Sequence, residues 1–132
     1  MALDVHLVTP EREVWKGEAT MVVARGVDGD VGILPGHAPM LVSLAIGPLF
    51  IHQEGGVVGV AVDGGFLHVT GTTTDSRVDV LAEHAELQTE IDVDAARALQ
   101  ADAEGRIADR ATDEARADLE RAVTRIRVSE GR

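Results

Sequence analysis

The chain has 132 residues, a formal net charge of −11, and 45% hydrophobic but only 2% aromatic residues. That length fits one ordinary domain, or a small domain with an appendage. Lys16 is the only lysine and Trp15, Phe50 and Phe66 are the only aromatics, which argues against nucleic acid and against direct binding to anionic lipid, because neither clustered cations nor a stacking platform is present.

The core has to be built from Val, Leu, Ile and Ala. There is no cysteine, which removes disulfide frameworks, thiolate metal sites and cysteine nucleophiles together and fits a reducing compartment. Met1-Ala2-Leu3-Asp4 lacks the basic region and apolar run of a signal peptide. No stretch approaches the roughly 20 apolar residues needed to span a bilayer, so membrane association is expected only through partners.

In chain order, Leu3, Val5 and Leu7 alternate with Asp4, His6 and Val8 before Pro10, which predicts a strand. Further strands are predicted at 20–24, at 40–46 up to Gly47-Pro48, at 49–52, at 57–62, at 66–70 and around Val78, Val80 and Ala82. Glu54-Gly55-Gly56 and Asp63-Gly64-Gly65 read as tight turns between them. The composition shifts near Thr89. Every proline lies before it, eight of the eleven arginines lie after it, and only Gly105 and Gly131 follow it among the glycines.

Residues 89–132 read as two helices. Asp92 is a good N-cap, and Val93, Ala96, Leu99, Ala103 and Ile107 recur at helical spacing. Ala111-Thr112-Asp113 connects to a second helix that Asp113 could cap, with Leu119, Ala122, Val123 and Ile126 on its apolar face. So short a connection makes the helices antiparallel. The predicted fold is an N-terminal antiparallel β-sandwich over 1–88 followed by a C-terminal antiparallel two-helix hairpin over 89–132. The stripes of the hairpin are mostly alanine, and an alanine seam contributes far less than a leucine seam. The hairpin is therefore either held partly by docking and able to leave, or a permanently packed extension.

Enzyme motifs are missing. Gly26, Gly29, Gly32 and Gly36 lack the Gly-Lys-Ser/Thr of a phosphate loop. There is no G-x-S-x-G elbow. His6, His37, His52, His68 and His84 have no metal-ligand spacing. No catalytic residue, metal site or cofactor is expected, and the chain reads as an interaction part.

The stretch Asp28-Gly-Asp-Val-Gly-Ile-Leu-Pro-Gly-His-Ala-Pro39 is of a different kind. Two prolines and three glycines hold a defined shape around Ile33-Leu34. Thr9-Pro10-Glu11 precedes it. Gly64-Gly65-Phe66 and Val78-Asp79-Val80-Leu81-Ala82-Glu83-His84 follow, then Ile91-Asp92. Together and in this order these resemble the epsilon subunit of the bacterial F-type ATP synthase, over nearly the whole chain and most strongly over 5–92.

The resemblance implies a non-catalytic subunit of the rotating central stalk, on the cytoplasmic face of the bacterial cell membrane. Its partners would be the gamma subunit, the c-ring and, through the hairpin, the alpha/beta catalytic head. It would couple proton flow to ATP synthesis and restrain ATP hydrolysis. The loop matching 28–39 lies near the c-ring in the family, which makes Asp30 and His37 contact candidates; for His37 the structural alternative is a loop residue orienting Gly36 and Ala38.

Some members bind ATP on the hairpin through Ile/Leu-Asp-x-x-Arg-Ala and arginines of the second helix. Ile91, Asp92, Arg121 and Arg125 match that pattern, but Ala95 stands where the first-helix arginine should be. Arg97 is two residues late, about 200° around a helix. Weak or absent ATP binding is expected, with Arg121 and Arg125 paired to acids as the alternative role. The competing reading of the whole chain is a free-standing, small-ligand-binding β-sandwich with a helical lid; a hydrolase with dispersed residues has no motif behind it.

Overall fold

The computed structural model describes residues 2–72 and 74–131; Met1 of the amino-terminal reading and Arg132 of the helical segment lie outside the described residues. The N-terminal alternation forms β1 (Leu3–Val8), with Leu3, Val5 and Leu7 fully buried. It is followed by β2 (Glu13–Ala19), β3 (Met21–Gly26), β4 (Gly29–Ile33), β5 (Met40–Gln53), β6 (Gly56–Gly71), β7 (Ser76–Ala82) and β8 (Ala85–Leu87). A single 3-10 turn at Gln88–Glu90 leads into α1 (Val93–Asp109) and α2 (Asp113–Ser129). The architecture is a β-sandwich followed by two helices.

The strand order is β2-β1-β7-β6-β5-β3-β4, with β8 added beside β6. All pairs are antiparallel except β1 with β7, which run parallel. The sequence reading made the sandwich wholly antiparallel. The parallel pair needs no helical crossover, because the chain returns to β1 only after five intervening strands.

Two strands are longer than their sequence suggested. Gly47-Pro48 does not end a strand: β5 runs through it. Ala24 of β3 pairs with Leu49 and Gly26 with Leu44, so residues 45–48 have no β3 partner, and a proline there interrupts no ladder on that side. Asp63-Gly64-Gly65 is likewise not a turn but a bend within β6. The β5–β6 register is the same on both sides, Leu44↔Gly65 and Ile46↔Asp63, and only Ala45 and Gly64 between them are not paired. The bend carries both strands from one layer, with β1, β2 and β7, into the other, with β3, β4 and β8. Gly55, by contrast, sits in the predicted hairpin turn, which takes only Glu54 and Gly55, with Gln53 opposite Gly56.

Three strands went unread: β2, β4 and the three-residue β8. In β2 the buried Val14 and Ala19 lie five apart, so the period of two is broken. In β4 only Ile33 is buried, and Gly29 and Gly32 hide its strand character. The first half of the segment 28–39 is therefore an edge strand, not loop.

Gly65 holds the bend. Its φ is +125°, and a Cβ there would lie 2.1 Å from the Leu81 carbonyl oxygen. Gly65→Ala is expected to cost more than about 3 kcal/mol, because strained backbone and a steric clash with β7 add. A urea unfolding midpoint equal to that of the parent chain would contradict this.

Candidate functional site

Ile33 turns inward, and the next four residues make a tight turn. The His37 N–H donates to the Leu34 carbonyl at 3.1 Å, with Pro35 and Gly36 between them and Gly36 at φ +83°. Proline second and a left-handed glycine third are what a type II turn requires. The turn is tied down from behind. The Gly36 N–H donates to Ser76 Oγ at 2.8 Å, and the Ser76 hydroxyl donates to the Thr72 carbonyl at 3.2 Å. Ser76 is buried. It drew no attention in the sequence, although a polar residue at the start of the alternating run Ser76, Val78, Val80, Ala82 sits on that run's inward face.

The two loop candidates are placed differently. His37 is half-buried and brings Nδ1 to the Ala38 carbonyl at 2.7 Å. A carbonyl only accepts, so Nδ1 carries the proton. Asp30 lies on β4, opposite Arg25 in register, and accepts from Arg25 Nε at 3.2 Å. No described hydrogen bond or ion pair joins Asp30 to His37.

On the outer face of the first layer, Phe66 of β6 stands directly across from Leu81 of β7. Leu41 of β5 is diagonal to Phe66, since Ser43 is its direct partner. All three side chains are half or more exposed. They form one apolar patch, which the helices leave uncovered.

The helices cover the opposite layer. It is α2 that makes their main contact with β5 and β6. Ala96 and Ala103 in α1, and Ala115 and Ala122 in α2, are the buried alanines of the hairpin; each pair is seven apart and shares a face. Val128 reaches the sheet at Gly59, where a Cβ would come 3.2 Å from Val128 Cγ1. The sequence reading left out Ala115, Thr124 and Val128, which are all buried. The caps differ by one residue at α2. Asp92 caps α1 by accepting the Ala95 N–H at 3.0 Å, but Thr112, not Asp113, caps α2 by accepting the Ala115 N–H at 3.1 Å. Asp113 is the first helical residue, where its charge favours the dipole.

Arg121 and Arg125 face acids. The Arg125 guanidinium donates to both Asp63 oxygens at 3.0 and 2.9 Å, to Glu86 at 2.6 Å, and to the Arg121 carbonyl at 3.0 Å. Arg121 pairs with Asp118 at 2.9 Å and lies 3.7 Å from Asp63. Asp118 also takes Arg106 at 2.7 Å, and Arg106 takes Asp102 at 2.9 Å. Charges of alternating sign thus run from α1 through α2 to the bend of β6. Burial alone would lower the Arg125 pKa, but the hydrogen bonds to Asp63 and Glu86 outweigh it and hold it above its usual range. The hydrogen bond from Arg106 holds the Asp118 carboxyl below its usual range. Ile91 is half-buried ahead of Asp92.

A further ion pair closes the approach to the helices. Arg12 Nη2 donates to both Glu90 oxygens, at 2.8 and 2.9 Å, and Glu90 accepts the Leu87 N–H at 2.9 Å. Among the described residues no group of His, Asp and Glu could hold a metal ion. Among the described residues no helix is long and apolar enough to cross a membrane.

Residues 2–88 match the family model "ATP synthase, Delta/Epsilon chain, beta-sandwich domain". The ATP synthase epsilon chain of Thermobifida fusca is 48% identical over 130 residues, 96% of this chain and 91% of the relative. The chain belongs to the ATP synthase epsilon family. A second epsilon chain, from Desulforamulus reducens, is 41% identical over 96% of both chains. A chain in the Euglena gracilis mitochondrial ATP synthase structure, described as OSCP/F1/c-ring, shares the fold with a TM-score of 0.77 at 23% identity, covering 98% of this chain and 80% of that one. Members of the epsilon family are non-catalytic subunits of the rotary F-type synthase, in its central stalk, and the chain is one of these.

Two predictions follow from these contacts. Ser76→Ala leaves the Gly36 N–H without its partner and is expected to cost about 1–3 kcal/mol, with faster amide exchange at Gly36 and His37; unchanged exchange there would contradict it. The hydrogen bond from Arg12 lowers the Glu90 pKa, with help from the Leu87 N–H. A lowered native pKa means that stabilisation is complete above the ordinary carboxylate range and is lost as pH falls through the native value. The Leu87 amide resonance is expected to titrate with a midpoint below the usual glutamate range, and Glu90→Gln to abolish that step.

Proposed function

We propose that this chain docks its sandwich on the gamma subunit and the c-ring, couples proton flow to ATP synthesis, and uses the helical segment as a restraint on ATP hydrolysis against the alpha/beta head. The working units are 1–88 for rotor docking and 89–132 for restraint. Such a subunit sits at the cytoplasmic face of the bacterial cell membrane, held there by its partners.

The observation that carries the docking half is the uncovered patch of Leu41, Phe66 and Leu81. Exposed apolar side chains packed together on one sheet face mark a protein contact. The turn built on Pro35 and Gly36 supports the ring-facing role of 28–39, with Asp30 exposed beside it and the His37 ring turned to hold its own loop. A free-standing ligand-binding sandwich would keep its apolar surface inside.

For the hairpin, the support is the kind of contact it makes. Its hold on the sheet is largely ionic, through Arg125 and Arg121, with small side chains at the remaining contact. An ionic contact desolvates both partners and returns little net energy. The hairpin is therefore releasable. The same contacts support weak or absent ATP binding: Arg125 and Arg121 are engaged with Asp63 and Asp118, Asp92 with its cap, and Ala95 offers no cation.

Co-isolation tests the whole reading. The chain should be recovered with gamma and the c-ring, and Phe66→Asp with Leu81→Asp should reduce recovery at least about tenfold, as a desolvated charge in an apolar contact would. Recovery of the parent chain as a monomer, free of gamma and the ring, would refute it. Arg125→Ala leaves Asp63 only the more distant Arg121, at 3.7 Å, at a cost of up to about 3–5 kcal/mol if it stays buried. Undocking lets Asp63 hydrate, so residues 93–129 are expected to exchange faster while the sandwich stays protected. Uniform protection in the variant would contradict a releasable hairpin. Titration with ATP should give no micromolar binding.

A further inference from the structure

The apolar patch on the outer face of the first layer has a titratable neighbour. His68 of β6 is exposed and stands two residues from Phe66, so both side chains point outward. In register it lies between Leu41 of β5 and Asp79 of β7. Leu41 and Phe66 belong to the patch, so a partner that covers them also covers the His68 ring.

The charges that face this ring come from one side. Its own strand offers Phe66 and Thr70, and β5 offers Leu41 with Ser43 diagonal to it, none of them charged. On β7 stand Asp79, directly across, and Arg77, opposite Thr70. Beyond β7, His6 of β1 lies opposite Asp79 and Asp4 opposite Arg77, followed by Lys16 and Glu18 of β2. Asp79 is thus the only acid on the strands next to His68 on this face, and it is already engaged. Arg77 donates to both of its oxygens, from Nε at 2.9 Å and from Nη2 at 3.0 Å. Asp4 lies 3.1 Å from His6 Nε2, two strands away from His68. No described hydrogen bond or ion pair engages the His68 ring.

A neutral imidazole enters an apolar contact at little cost. A protonated one must shed water with no free carboxylate to replace it. Histidine is the side chain whose charge changes nearest neutral pH. We propose that His68 makes docking of this face on the gamma subunit depend on pH: the neutral ring docks and the protonated ring opposes docking. This rests on the reading that the patch of Leu41, Phe66 and Leu81 is the gamma contact. Affinity is then full where the free ring is neutral, and it is lost as pH falls through the ring's titration, because only the neutral fraction is competent. Docking of a protonated chain releases one proton.

Synthase stripped of this subunit and titrated with the chain tests this. Binding of the parent chain is expected to be at least about fivefold weaker at about pH 5.5 than at about pH 8. His68→Gln carries no charge at either pH, and its two affinities are expected to agree within about twofold. Equal affinity of the parent chain at both pH values would overturn the proposal and leave docking standing. Tighter binding at the lower pH would overturn it too, since the protonated ring would then be drawing Asp79 from Arg77. A pH dependence of the same size in His68→Gln would overturn the role of His68. Binding at neither pH would refute the docking itself.

Discussion

One guanidinium joins the three parts of this molecule. Arg125 stands on α2 and holds Asp63 at the bend of β6 and Glu86 on β8. Asp63 is nearly buried, and it occupies the point where the chain passes from one sheet layer to the other. Its N–H also donates to the His84 carbonyl at 2.9 Å. The bend, the short strand β8 and the second helix are therefore fixed relative to each other at a single place. A buried carboxylate without such a partner would be protonated or exposed, so this bend and the helix that covers it are mutually dependent.

That dependence is unequal. The sandwich has a continuous apolar core running from Leu3 to Ala85, which includes none of the clamp residues. Burial of that many branched side chains is worth far more than one ion pair. The helices have only alanines and Val128 as fully buried apolar residues. Losing the clamp leaves a folded sandwich but removes the main specific hold on the hairpin. The two units thus share a contact without sharing a core.

How much of this could be read beforehand follows the same division. Where one face alternates strictly, as in β1 and β7, the strand was legible, because period two records burial directly. Where glycine or proline stood inside a strand, local chemistry misled. Gly47-Pro48 and Gly64-Gly65 carry turn signatures, yet they serve a bend that only pairing partners reveal. Edge strands β2 and β4 bury too few residues to leave a pattern. The segment 28–39 was legible as a specified shape, and its turn has the predicted Pro-Gly chemistry. What fastens it, Ser76, is forty residues away, and nothing local announces that distance. Arg121 and Arg125 were visible as cations on a helix, while their partners Asp63 and Glu86 lay hidden among many acids.

Charge explains why the hairpin is held in this way. The chain is strongly acidic, yet most of its arginines fall in the helices. Arginine there meets acids of the sheet and of its own hairpin, and the alternating chain from Asp102 to Glu86 leaves the contact nearly neutral. A leucine seam in the same place would be stronger and indifferent to its surroundings. An ionic seam is specific in register, since each guanidinium has fixed donor directions, and modest in net strength because desolvation offsets attraction. The price of that specificity is a contact that other charged groups can compete for. The apolar patch faces away from the helices, so the seam and the patch are separate surfaces, and loss of one leaves the other intact.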